Sequence, residues 1–371
     1  MKKIKVLHSL TRIGSGGVEQ RRLLMARHLP PDRFEHIVVC QDISGGLPSE
    51  FDKLGWRVET IGAPSHIFDI SWHCKAISIA RDFKPDIIHG AVYEGEALAC
   101  SVGIANPKIP VIMEETSDPA NRSWKGNMLM RAMLIRANVS IAVSPAVGNY
   151  LIKKLRVPAH KVKVIVNAVE GPEQKVAENI DFLRCKLGLS KDDIIIGTVS
   201  RIDDSHKRIS DLLKAFSVVL KSFKKARLLI IGDGPDLQVL QEKAILLGIK
   251  HAVIWAGYQP SPSDFYALMD VFVLASAREA FGLVLVEAMF SKCAVVGTCV
   301  GGIPYVLDNG NSGVLVPPFD PERLGKALIK LLEDECWREE LGILGYNRAI
   351  QHFSAERYSS DIENLYCSLV N

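Results

Sequence analysis

The sequence predicts two doubly wound α/β domains, and three observations carry that expectation. At 371 residues the chain exceeds one ordinary domain and suits two. Short, nearly continuous apolar runs alternate with helical patterns along almost the whole length, as expected of parallel strands covered by helices on both faces. The rhythm breaks clearly once, over 167–175, where Asn-Ala-Val-Glu-Gly-Pro-Glu-Gln-Lys intervenes, and then resumes.

In the first half the strand-like runs are Ile4–Leu7, His36–Cys40, Asp86–His89, Val111–Glu114, Val139–Val143 and Val162–Val166. Helical stretches at Glu19–His28, Glu96–Gly103 and Ala146–Leu155 lie between them. In the second half the runs are Ile194–Val199, Leu228–Ile231, Val253–Trp255, Val271–Leu274, Ala294–Val296 and Val314–Val316. Their intervening helices include Ser210–Ser222, Asp236–Leu247 and Leu283–Phe290. From Pro321 onward the pattern is helical, and the last helix, Ser354–Leu369, is expected to cross back onto the first domain. The expected domains are therefore 1–170 with 354–371, and 171–353. Ligands of open α/β sheets bind beyond the carboxyl ends of the strands, so two such sheets facing across a cleft would place the chemistry there.

Composition excludes some classes. Hydrophobic residues are 48% and charged residues 23%, an ordinary globular balance with ample core. A net charge of +3 is too small to argue for nucleic acid. The charge is uneven: residues 1–170 hold 23 Lys and Arg against 16 Asp and Glu, a net of +7, and the remainder holds 22 against 26. A basic first half fits an anionic membrane surface or a phosphorylated acceptor, and equally a chance distribution on a solvated surface. The eight cysteines form no C-x-x-C pair or zinc-finger spacing and read as free thiols of a reducing compartment. Met1–Leu7 reads as a strand with a basic lead-in rather than a signal peptide, and no run of 18 apolar residues occurs. The expected location is cytoplasmic, at the inner face of a membrane.

Four motifs carry chemistry. The first, Arg12-Ile13-Gly14-Ser15-Gly16-Gly17-Val18-Glu19, follows the first strand and opens a helix whose free N–H groups would suit an anion. No G-x-G-x-x-G runs through it, and as a tight turn it needs no ligand. The second is Arg201, at the carboxyl end of Ile194–Val199, with Lys207 six residues on: a fork and a point charge suited to phosphate oxygens, or two exposed basic residues. The third, Gly232-Asp233-Gly234-Pro235, ends the next strand and reads equally as a turn or a nucleotide border.

The fourth is the most informative. Strand Val271–Leu274 runs into Ala275-Ser276-Ala277-Arg278-Glu279, and a helix follows through Glu287. Helical side chains lean toward the N-terminus, so Glu287 can reach back toward the mouth that holds Glu279. The helix start offers N–H groups at Phe281, Gly282 and Leu283. A carboxylate pair also suits a glycosidase, but phosphate-directed cations at the same mouth favour a phosphate leaving from a sugar.

With these motifs in this order, ending in Gly301-Gly302, the whole chain resembles glycosyltransferase family 4, whose members share the GT-B fold of twin Rossmann-like domains. The resemblance implies retaining transfer from a UDP- or GDP-sugar without a bound metal or other cofactor. It implies that Arg201 and Lys207 hold the diphosphate, with Gly16 and Gly17 approaching it from the other domain. Glu279, with the backbone of Ala280, Phe281, Gly282 and Leu283, would hold the donor sugar. Glu287 would accept from the ribose, and the backbone near Gly257 and Tyr258 would border the base. It further implies a saccharide or lipid-linked saccharide acceptor, in envelope polysaccharide synthesis, and a peripheral membrane contact.

The pattern departs from the family after Val111–Glu114, where many members carry a histidine. This chain reads Glu114-Glu115-Thr116-Ser117, so Glu115 or Thr116 stands there. His89 matches the first histidine of another family pair, whose second is Ala91; it is a sugar-side candidate or a satisfied structural histidine. Asp203-Asp204 reads as capping the loop before helix Ser210–Ser222 rather than as a metal motif. Met128–Met133 with Arg131 and Arg136 reads as core packing ahead of a membrane patch. Acceptor contacts are expected from loops around 64–75, 91–96 and 114–127. Competing readings are a nucleotide-sugar epimerase or a phosphorylase on the same fold, a nicotinamide oxidoreductase, and a non-catalytic nucleotide-sugar binding protein.

Overall fold

The computed structural model describes residues 2–14, 16–118, 122–171 and 177–370. Ser15 of the glycine loop and residues 172–175 of the expected boundary lie outside the described residues. The chain divides into two compact units, Met1–Ala168 with Ala355–Asn371, and Val169–Ser354.

The first unit holds a parallel sheet of β1 (Ile4–Ser9), β2 (Phe34–Cys40), β3 (Arg57–Thr60), β4 (Ile87–Ala91), β5 (Val111–Glu115), β6 (Val139–Ala142) and β7 (Val162–Val164). Its order is β3-β2-β1-β4-β5-β6-β7. The strands are Val- and Ile-rich because helices cover both faces, and Val6, Val38, Ile87, Ile112 and Ile141 are core residues. The C-terminal helix Ala355–Val370 belongs to this unit. It places Ala355, Tyr358, Ile362, Leu365 and Tyr366 in the same core at helical spacing.

The second unit holds β8 (Ile194–Val199), β9 (Ala226–Ile231), β10 (Val253–Gly257), β11 (Val271–Leu274), β12 (Ala294–Thr298) and β13 (Val314–Val316). They are parallel in the order β10-β9-β8-β11-β12-β13. Helix Pro321–Glu333 lays Leu324, Leu328, Leu331 and Leu332 into the core that helix Ile209–Ser222 shares.

Both orders begin 3-2-1-4, so each sheet reverses its winding beside its first strand, β1 against β4 and β8 against β11. Loops leaving adjacent strands at such a point diverge and open a crevice at the carboxyl edge.

The structure adds elements that the sequence reading left as loops. Edge strand β3 carries polar Arg57, Glu59 and Thr60. Helix Ile70–Phe83 starts where acceptor loop 64–75 was expected. Asp69 caps it by accepting from Ser71 N at 3.1 Å. Helices Tyr93–Ala105 and Trp124–Arg136 likewise replace parts of the other two expected loops. In the latter, Met130 and Met133 are buried as expected, but Met128 is 63% exposed, so the core-packing reading fails for that residue.

Candidate active site

In the second unit, the β8 and β11 loops meet at the reversal point. Ser200-Arg201-Ile202 leaves β8, and the short helix Asp204–Lys207 follows. Asp204 Oδ1 accepts from Ser210 N at 2.7 Å, so it caps helix Ile209–Ser222. The β11 loop comes alongside through Ala277 N, which donates to His206 O at 2.8 Å. Across that junction Lys207 Nζ lies 2.7 Å from Glu279 Oε2. Arg201 is exposed, and its guanidinium makes no hydrogen bond or ion pair among the described residues.

Neighbouring turns hold these loops. Gly232 after β9 has φ +135°, and a Cβ there would lie 1.9 Å from Ser200 O, so backbone rests on backbone. Gly232 N donates to Gly257 O at 2.9 Å, which brings the β10 loop alongside; Tyr258 next to it is exposed. On the other side Gly302 N donates to Glu279 O at 3.0 Å. A Cβ on Gly301, whose φ is +51°, would lie 1.7 Å from that oxygen. Thr298 Oγ1 donates to Ser276 O at 2.6 Å. Gly301 and Thr298 thus fix the loop that presents Glu279.

Helix Leu283–Phe290 begins after Gly282, whose φ of +100° turns the chain into the helix, and among the described residues no side chain caps its start. Glu287 is half-buried on this helix and accepts from Tyr266 OH at 2.5 Å. Burial raises its pKa, and the Tyr266 hydrogen bond works against that rise. Among the described residues no hydrogen bond joins Glu287 to Glu279. Of the donor-side residues read from sequence, Arg201, Lys207, Glu279 and Ala280–Leu283 come together at one edge. Glu287 sits one turn deeper, on Tyr266, a partner that an apolar-rich stretch did not signal.

Gly16, Gly17, His89, Glu115 and Thr116 lie in the first unit. Gly16 and Gly17 are exposed at the β1 end, where Gly17 starts helix Gly17–His28. Glu115 is buried, paired with Arg122 at 2.9 Å and accepting from Ser117 Oγ at 2.9 Å; Thr116 is half-buried.

His89 corrects the sugar-side expectation, because it has no exposed surface. Its Nδ1 lies 2.7 Å from Tyr366 OH and its Nε2 3.4 Å from Glu114 Oε2. Arg22 pairs with the same carboxylate at 2.8 Å. Burial, then the Arg22 charge, lowers the His89 pKa to about 4, so the ring is neutral. It is a structural histidine, the alternative that the sequence left open.

Two family models cover most of the chain: Glycosyltransferase Family 4 matches residues 15–170, and Glycosyl transferases group 1 matches 179–348. The chain belongs to glycosyltransferase family 4. It has the GT-B fold, two parallel-sheet α/β domains, and is related to cell-envelope and lipid glycosyltransferases. N-acetyl-alpha-D-glucosaminyl L-malate synthase of Bacillus anthracis is 29% identical over 65% of this chain and 62% of its own length. Alpha-monoglucosyldiacylglycerol synthase of Streptococcus pneumoniae is 33% identical over 62% of this chain and 55% of its own. The match thus spans less than two thirds of either relative. A crystal structure of Anabaena HepE with UDP and glucose superposes with a TM-score of 0.87 at 21% identity, covering 98% of this chain and 100% of that one. Among the described residues no helix is long and apolar enough to cross a membrane.

Proposed function

We propose that this family 4 chain is a retaining, metal-independent glycosyltransferase that moves a hexose-type sugar from a UDP- or GDP-sugar to a saccharide or lipid-linked saccharide, at the inner face of the cell membrane, in envelope polysaccharide synthesis. In this reading the second unit takes the donor and the first the acceptor. The observation that carries it is the convergence of Arg201, Lys207, Glu279 and the uncapped start of helix Leu283–Phe290 at the reversal point of one sheet.

As the bond between sugar and phosphate breaks, positive charge grows at the anomeric carbon and negative charge on the departing diphosphate. Arg201, Lys207 and the helix amides stabilise the departing group, an effect worth several kcal/mol when the donors are fixed in advance. Glu279 receives the sugar hydroxyls, and Glu287 the ribose. The acceptor oxygen attacks from the face that the diphosphate leaves. A phosphate oxygen takes the acceptor's proton, and the configuration is kept.

The test is a panel of UDP- and GDP-sugars scored by thermal shift and by slow release of free nucleotide. One donor should raise the melting temperature and turn over in wild type, and the Arg201→Ala/Lys207→Ala variant should do neither. Conversion of donor without acceptor into an epimeric nucleotide sugar would replace this reading.

A further inference from the structure

Helix Trp124–Arg136 in the first unit turns an apolar stripe toward solvent. Trp124 is 68% exposed, Met128 63% and Ile135 76%, while Met130, Met133 and Leu134 face inward. At 3.6 residues per turn, Trp124, Ile135, Met128 and Ala132 fall within an arc of about 80°. Exposed Arg131 and Lys125 flank that arc on its two sides. A solvated helix carries the opposite pattern, with polar residues in the middle of its outer face.

The surroundings share one sign of charge. Between Asp118 and Glu170 the chain carries nine Lys and Arg and no Asp or Glu. That stretch supplies this helix, helix Pro145–Lys153, strand β6 and the edge strand β7. Asn127 Nδ2 donates to Tyr150 OH at 2.9 Å, which ties the two helices. Lys161 Nζ donates to Ala137 O at 2.8 Å at the far end of the first. Lys153, Lys154 and Arg156 are exposed beyond the second.

We propose that this face is where the protein lies on an anionic lipid bilayer, with Trp124, Met128 and Ile135 entering the headgroup boundary and the flanking cations meeting acidic headgroups. An apolar band flanked by cations matches the depth profile of such a surface, apolar beneath and negative above. A nucleic acid would use the cations and leave the band without a partner. This surface gives a place to the membrane contact in the function proposed above and rests on that reading for the contact alone.

The full chain is mixed with phosphatidylcholine vesicles, with and without phosphatidylglycerol, and binding is read by sedimentation. Binding should require phosphatidylglycerol and weaken as salt rises. Trp124→Ser/Met128→Ser/Ile135→Ser should lower it at least tenfold, as should Lys125→Gln/Arg131→Gln. Both variants should keep the wild-type melting temperature, because the side chains are exposed, and the wild-type affinity for free UDP or GDP. In wild type, brominated lipid should quench tryptophan emission, and Trp124→Phe should remove that quenching. Undiminished vesicle binding by the triple serine variant overturns the proposal, as does a wild type that binds duplex DNA and no vesicle. The nucleotide measurement keeps either failure separate from failure of the transfer reading.

Discussion

Lys207 Nζ and Glu279 Oε2 lie 2.7 Å apart, although 72 residues separate them in the chain. The contact spans the two strands between which the second sheet reverses. A donor that engages both side chains must exchange this ion pair for its own bonds, so the two substitutions should differ in kind.

Lys207→Ala should lower turnover at least a hundredfold, about 2.7 kcal/mol of lost stabilisation of the departing charge, with the fold intact. Glu279→Ala should abolish transfer yet leave the affinity for free nucleotide unchanged or higher, since it releases Lys207. Steady-state kinetics and nucleotide calorimetry on the pair check this; near-normal turnover in Lys207→Ala removes its role.

Gly301→Ala tests the support of the Glu279 loop. Its Cβ would stand 1.7 Å from Glu279 O at a φ of +51°, so the β12 turn or the loop must move. Stability should fall by roughly 1–3 kcal/mol, and turnover should drop more than nucleotide affinity. Unchanged kinetics alongside a lowered melting temperature would separate this turn from the placement of Glu279.

Tyr266→Phe removes the hydrogen bond to Glu287 and leaves the ring in place. If Glu287 holds the ribose, nucleotide affinity should fall several-fold with little change in turnover at saturation. Glu287→Ala should show the same effect more strongly. Equal donor KM in wild type and both variants would contradict the ribose role.

The buried histidines of the first unit set a pH limit on stability. Burial, followed by the Arg22 charge, lowers His36 to about 3 and His89 to about 4, and holds His8 well below its usual value. Unfolded histidines titrate near 6.5, so below that pH the unfolded chain binds more protons and stability falls with pH. Glu114 acts in the same direction: burial raises it, but Arg22 and Arg21 hold it well below the carboxylate range. The histidine contribution is full above about pH 6.5 and is lost toward pH 4 and below. A histidine shifted as far as His89 forfeits about 2 kcal/mol between pH 7 and pH 5. Melting curves of the full chain should shift downward over that interval; a flat profile would contradict this.

What the sequence showed depended on how completely each residue's surroundings were dictated by its own stretch of chain. Strands Ile194–Val199 and Val271–Leu274 were legible to the residue, because burial on both faces makes them largely apolar runs between turn residues. Edge strand Arg57–Thr60 was not, since one open side allows a polar composition like that of a loop. The residues proposed for the donor could be read as motifs, but the Lys207–Glu279 contact follows only from the order of strands in the sheet. From its place at a strand end His89 could be a sugar-side residue or a structural histidine, and the sequence did not decide between them. Its burial depends on Tyr366, 277 residues away, and on Arg22. Met128 and Met130 differ by two positions in one Met-rich run, and helical phase sends them to opposite faces.

The central claim is that a nucleoside diphosphate is seated at the β8 and β11 loops by fixed positive charge and helix amides. Calorimetry with UDP, GDP and the matching monophosphates tests it most directly, on wild type and on Arg201→Ala/Lys207→Ala. One diphosphate should bind wild type at least tenfold more tightly than its monophosphate, and the double variant should lose at least a hundredfold for that diphosphate alone. Equal diphosphate affinity in the two proteins would contradict it.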